Sequence, residues 1–116
     1  RFYFHPARYT SLGLSVCEAM MAGLPVVGLA TTELVTVIEN GRSGFIHTNI
    51  AYLVDKMKQL LLDYDLAKRI GMKGKEIAGR RFNINRFTKD WKNIFEWVVH
   101  NNKNRKNIII HAPNLN

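Results

Sequence analysis

The run Thr10-Ser11-Leu12-Gly13-Leu14, with Glu18 four residues beyond Leu14, carries the most readable chemistry in this chain. A glycine beside the first turn of a helix lets the backbone approach a ligand closely, and the first N–H groups of a helix have no internal partners. Together they favour an anion such as a phosphate. Glu18 falls one turn deeper on the face of Leu14, its carboxylate turned toward whatever occupies the helix mouth. Ser11 and Ser15 serve either as caps of that helix start or as ligand contacts. Arg8, in the same loop, is either a grip for phosphate or an ordinary exposed loop arginine. His5, at the end of the preceding strand, is expected to make a structural hydrogen bond rather than to act as an acid or base.

The elements that must position these residues follow from the hydrophobic pattern. Residues 2–4 are aromatic and of high strand propensity, and Pro6, which cannot donate to a ladder, ends the run. Residues 13–22 form a compact helix, with Cys17, Met20, Met21 and Leu24 expected as its core stripe and Gly23 at its C-terminal cap. Residues 25–29 are continuously apolar, as in a strand buried on both faces of a parallel sheet. Thr31-Thr32-Glu33 leads into a short helix at 34–39, a turn follows at 40–44, and 45–47 reads as a third strand. This alternation predicts an α/β fold, a partial Rossmann-like parallel sheet of about three strands followed by helices. Ile50, Leu53, Val54, Met57, Leu60 and Leu61 recur at helical spacing behind the N-cap Asn49, with Lys56 and Lys58 on the outer side. Asp65 is expected to cap a second helix at 66–81, directing Leu66, Ile70 and Ile77 inward. A third, at 85–99, carries the stripe Phe87, Trp91, Ile94, Phe95 and Val98, with Trp91 in the core. Residues 1–100 are thus expected to form one domain and 101–116 a polar basic tail, in which Ile108-Ile109-Ile110 has no assigned place.

Composition narrows the classes. The chain has 116 residues, enough for one domain with a core, and its 47% hydrophobic and 10% aromatic content excludes a disordered segment. No apolar run approaches the roughly 20 residues that cross a bilayer. The lone Cys17 suits packing in a reducing compartment, and the expected location is cytoplasmic. Seventeen Lys and Arg against nine Asp and Glu give a net charge of +8, which attracts phosphate-bearing partners. The basic residues are spread over several helices, so solvated faces are the reading, with peripheral contact to anionic lipid at the inner face of a membrane as the alternative. No zinc-finger spacing or RNA-recognition signature is present, and no nucleic-acid partner is expected. Arg1-Phe2-Tyr3-Phe4 opens in an apolar run without an initiator Met, as expected for a piece cut from a longer chain.

Pro6, Tyr9, Leu12-Gly13-Leu14, Glu18-Ala19-Met20, Gly23, Pro25-Val26-Val27, Glu39, Gly41 and Gly44-Phe45-Ile46 occur in the order and spacing of a known family. The chain resembles the C-terminal donor-binding domain of retaining, GT-B-fold glycosyltransferases of the group 1 family, from about Phe2 to Val99. The resemblance implies transfer of a sugar from a nucleotide diphosphate sugar to a saccharide or lipid-linked acceptor in polysaccharide or glycolipid assembly. No cofactor and no metal is implied, the nucleotide sugar being the substrate. It implies that backbone N–H groups around Leu12, Gly13 and Leu14 hold the diphosphate, that Glu18 binds ribose hydroxyls, and that Thr10 and Ser11 line the donor. Arg8, Thr32 and Glu33 are further candidates for donor contact, and no catalytic residue is assigned.

Three departures bear on this reading. Thr10 stands where the family usually has the first of two glutamates separated by seven residues, and a hydroxyl binds sugar more weakly than a carboxylate. Thr32-Glu33-Leu34-Val35-Thr36 stands where the family often has Gly-Gly-x-Pro-Glu. The remaining strands, the basic diphosphate grip and the acceptor domain of such enzymes lie outside these residues. The chain is therefore expected to be inactive alone and to be completed by a missing N-terminal domain or by self-association. Alternatives are a GT-B-fold nucleotide-sugar epimerase or phosphorylase, and a basic phosphate- or nucleic-acid-binding module. Steep loss of affinity with salt would mark the last.

Overall fold

The apolar runs form three strands in the computed structural model, which describes residues 1–103. β1 (Tyr3–His5), β2 (Val26–Leu29) and β3 (Gly44–His47) pair in parallel in the order β1-β2-β3, with Tyr3 beside Val26 and Val26 beside Gly44. The helices are α1 (Leu14–Met21), α2 (Leu34–Val37), α3 (Ile50–Leu62), α4 (Tyr64–Arg81) and α5 (Ile84–Lys103). This is the α/β arrangement expected, a three-stranded parallel sheet followed by helices. The chain divides after Asn83 into a unit holding the sheet and α1 to α4, and a second unit that contains α5.

β2 is buried along its whole length, and its alternate side chains serve opposite faces of the sheet. Val26 packs with Val16, Ala19 and Met20 of α1 and with Leu34 and Val37 of α2. Val27 and Leu29 pack with Phe45 of β3, Leu53 and Leu60 of α3, and Ala67 and Ile70 of α4. Burying each such Val, Leu, Ile, Met or Phe side chain contributes about 1.5–3 kcal/mol. The glycine of this strand, Gly28, admits the close approach of β1 and α2, because a Cβ there would lie 2.9 Å from both the His5 carbonyl oxygen and Leu34 Cδ2.

α1 ends in the αL cap expected for Gly23: its φ is +79°, its N–H reaches the Met20 carbonyl, and Leu24 N–H reaches the Ala19 carbonyl. The buried face differs from the expectation. Val16, Ala19 and Met20 point inward, Cys17 is half-buried, and Met21 and Leu24 are exposed. Nearly every residue of α1 is apolar or small, so periodicity alone does not select a face, and the neighbouring sheet and α4 do.

Asn49 caps α3, its side-chain oxygen accepting from Ala51 and Tyr52 N–H. Lys56 is not on the outer side as expected. Its ammonium lies over the rings of Phe45 and Tyr52, 5.7 and 5.2 Å from their centroids. Nor is Asp65 the cap of α4. Asp63 ends α3 and begins α4, its carboxylate accepting from Leu66 N–H at 2.9 Å, while Asp65 sits in the first turn where its charge favours the helix dipole. Two residues separate the candidates, and the tight α3–α4 joint decides for the earlier one.

α4 links the two layers. Ala67 and Ile70 belong to the cluster on one face of the sheet, Ile77 and Ala78 to the cluster on the other. Gly71 lets it pass the α1–β2 turn, and Arg81 near its end donates to the Thr36 carbonyl of α2. In α5 the rings of Phe87, Trp91 and Phe95 stack in succession, with centroids 6.1 and 5.4 Å apart. Trp91, expected in a core, is 44% exposed. The helix takes in 101–103, and the rest of the polar stretch with Ile108-Ile109-Ile110 lies outside the described residues.

Candidate functional site

The carboxyl ends of parallel strands leave a crevice where loops and helix amino ends meet. Here the loop after β1 carries Pro6 to Leu12 to the mouth of α1, and the loop after β2 carries Ala30 to Glu33 to α2. The two loops touch where Thr31 Oγ1 lies 3.5 Å from the Ala7 carbonyl oxygen. A cavity of about 210 Å³ opens beside this contact, lined by Arg8, Tyr9, Leu29, Thr31 and Thr48.

Gly13 is the N-cap of α1, with φ −69° and ψ 141°, and no side chain caps the helix. Ser11 and Ser15 are therefore not caps. Ser15 Oγ instead accepts a hydrogen bond from the Tyr3 hydroxyl at 2.8 Å, tying the first turn of α1 to β1. The Leu14 and Ser15 N–H groups are left open at the helix mouth, as an anion there requires. Glu18 and Leu14 are both exposed, on the side of α1 opposite Val16, Ala19 and Met20. A helical side chain leans toward the helix amino end, so the Glu18 carboxylate points back along the outer face toward the mouth. Thr10 is half-buried, Ser11 exposed, and Leu12 packs half-buried against the α1 cluster. Burial raises the Cys17 thiol above its usual range, in keeping with a packing role.

Arg8 lines the cavity, whereas Thr32 and Glu33 stand apart from it. The Glu33 carboxylate is occupied by the Thr36 hydroxyl at 2.9 Å. Thr32 has φ 46°, a left-handed conformation that a β-branched residue rarely adopts. Left-handed backbone costs an L-residue about 1–2 kcal/mol, against the roughly 0.5–1 kcal/mol that glycine loses through its freer unfolded chain. Thr32→Gly is expected to stabilise the protein by about 0.5–1 kcal/mol, read as a higher urea midpoint; an unchanged or lower midpoint refutes the strain.

His5 departs from expectation. It is 8% exposed, and its Nε2 is buried without a hydrogen-bond partner, so the structural hydrogen bond is not made there. Neither this nor Thr48 was evident from local pattern. Thr48 follows β3 directly, and its place at a strand's carboxyl end is the signal that marks it. Among the described residues no group of three or more His, Cys, Asp or Glu is arranged to hold a metal ion, and no helix is long and apolar enough to cross a membrane.

A parallel sheet with helices on both faces and its crevice at the strand ends places the molecule in the class of Rossmann-like α/β domains found in GT-B glycosyltransferases. Residues 1–77 match the glycosyl transferases group 1 family, and the chain belongs to it. N-acetyl-alpha-D-glucosaminyl L-malate synthase of Bacillus anthracis is 28% identical over 98 residues, covering 83% of this chain and 26% of its own. Trehalose synthase of Pyrococcus horikoshii is 36% identical over 72 residues, covering 62% of this chain and 17% of its own. Among solved structures, a point mutant of S. aureus TarM in complex with fondaparinux, alpha-GlcNAc-glycerol and UDP superposes with a TM-score of 0.74 at 28% identity, covering 81% of this chain and 20% of that one. The chain thus spans about a quarter or less of the length of these relatives.

Proposed function

We propose that this chain is the donor-binding part of a retaining glycosyltransferase that takes a sugar from a nucleotide diphosphate sugar. The observation that carries the reading is the open amino end of α1: no side chain caps Gly13, and Glu18 lies exposed one turn inward on the outer face. The Leu14 and Ser15 N–H groups and the helix dipole hold the diphosphate and favour the negative charge that grows on it as the sugar departs. The Glu18 carboxylate accepts from two ribose hydroxyls. Thr10 and Ser11 border the same mouth, and the Arg8 cavity beside it receives the sugar. UDP in the TarM complex, in a relative of 28% identity, supports a nucleotide as the ligand.

The acceptor, a saccharide or lipid-linked saccharide, approaches from a second wall that the rest of a longer protein supplies. Residues 1–116 alone bind donor without turning it over. The work belongs to the cytoplasm, with solvated basic faces as the reading and peripheral contact to anionic lipid at the inner face of a membrane as the alternative. The test is a thermal-shift panel of UDP, GDP, ADP and their sugars on the full-length protein. One nucleotide family is expected to raise the melting temperature selectively, and a panel in which none does so overturns the donor site.

A further inference from the structure

His5 occupies a position that the donor-site reading does not use. Its side chain is 8% exposed and its Nε2 is buried with no hydrogen-bond partner. Buried polar atoms are almost always paired, and leaving one unpaired costs stability, so a protein that keeps one does so against selection for stability alone. A neighbouring polar group is already engaged: Tyr3, whose ring centroid is 6.1 Å from that of His5, donates its hydroxyl to Ser15. The ring lies directly behind the mouth of α1. A Cβ on Gly13 would meet His5 Cε1 at 3.6 Å and Ser15 Oγ at 3.5 Å, so the imidazole edge and the first-turn serine flank the glycine at the helix mouth. A half turn about Cβ–Cγ exchanges the places of Cε1 and Nε2 and brings the ring N–H onto that glycine face.

We infer that His5 is a hydrogen-bond donor to the anion held at the amino end of α1, its Nε2–H reaching a phosphate oxygen across the side-chain-free face of Gly13. The inference rests on the donor-site reading and adds to it a residue from the strand beneath the helix. In the free protein the nitrogen waits without a partner; in the complex the anion supplies one. The cost of the orphaned nitrogen is thereby converted into ligand selectivity, because a neutral ligand lacking the acceptor oxygen does not relieve it.

The test uses the full-length protein and whichever of UDP, GDP and ADP gives the largest thermal shift, with Kd measured by calorimetry. His5→Phe keeps a ring of similar size and removes both nitrogens. Its Kd is expected to rise about tenfold while the melting temperature of the ligand-free protein stays level or rises, since an unpaired buried atom is gone. A purely structural histidine would do the reverse, and a Kd within about twofold of wild type overturns the assignment. Gly13→Ala, whose methyl fits without strain, covers the route of the ring N–H. It is expected to weaken binding, with no further loss in the double variant; additive losses overturn the shared contact. In the wild type, nucleotide addition is expected to bring up a slowly exchanging imidazole N–H resonance that His5→Phe lacks, and its absence counts against the assignment even if His5→Phe fails to fold. If Glu18→Ala weakens binding and His5→Phe does not, only the His5 role falls. If no nucleotide binds, or neither substitution matters, the donor site falls with it.

Discussion

Gly71→Ala is expected to destabilise the protein by about 3 kcal/mol, at the upper end of what one added methyl costs in a filled interior. The added Cβ would stand 1.9 Å from the Gly23 carbonyl oxygen, 2.8 Å from its carbon and 3.1 Å from Pro25 Cδ. The obstacle is backbone, with no flexible side-chain end to swing aside. Gly23 is itself held by its bond to the Met20 carbonyl and by the adjoining Leu24–Ala19 bond of the α1 cap, so relief requires α4 to move away, and that movement loosens the clusters on both faces of the sheet. Alanine brings a gain of about 1 kcal/mol in helix propensity, which the overlap exceeds. Gly79, in the same helix with nothing within 4 Å of an added Cβ, isolates that propensity: Gly79→Ala is expected to stabilise slightly. Denaturant midpoints decide the matter, and a Gly71→Ala midpoint equal to wild type refutes the close approach.

Glu18→Ala is expected to raise the nucleotide Kd by about tenfold to a hundredfold, because a carboxylate accepting from two hydroxyls makes hydrogen bonds of the strong, charged kind. The folded state should hardly notice. Glu18 is exposed, and its carboxylate takes part in no ion pair or hydrogen bond among the described residues, so a stability change within about 0.5 kcal/mol is expected. That separation of affinity from stability is what distinguishes a ligand-binding carboxylate from a structural one. Calorimetry on the full-length protein measures it, and a Kd changed by less than about threefold removes Glu18 from the donor site.

The parts of the fold readable beforehand are those fixed by neighbours in the chain. The apolar run of β2, the αL glycine after α1 and the Asn49 cap all act over a few residues, and each stands where local chemistry puts it. What local chemistry leaves open is decided by contacts between distant elements. Apart from Ser15 and Glu18, α1 is apolar, so which apolar side chains it buries is chosen by the sheet and α4; Lys56 lies inward because two aromatic rings from different elements receive it. The candidate site divides in the same way. Gly13 and Glu18 sit one turn apart on one helix and were legible, whereas the Tyr3–Ser15 pair and the unpartnered His5 nitrogen join β1 to α1. Thr48 reaches the cavity from the far edge strand, a neighbourhood that only the parallel order creates.

The span of α4 across both layers has a consequence for how this molecule tolerates change. A helix that anchors each side of the sheet couples the two hydrophobic layers, so that amide protons of β2 are expected to exchange only when both layers open together. The loops at the strand ends lie outside those layers. Thr10 and Thr32 both belong to this outer rim. Such a scaffold separates robustness from evolvability: its interior resists drift, and its rim is free to change.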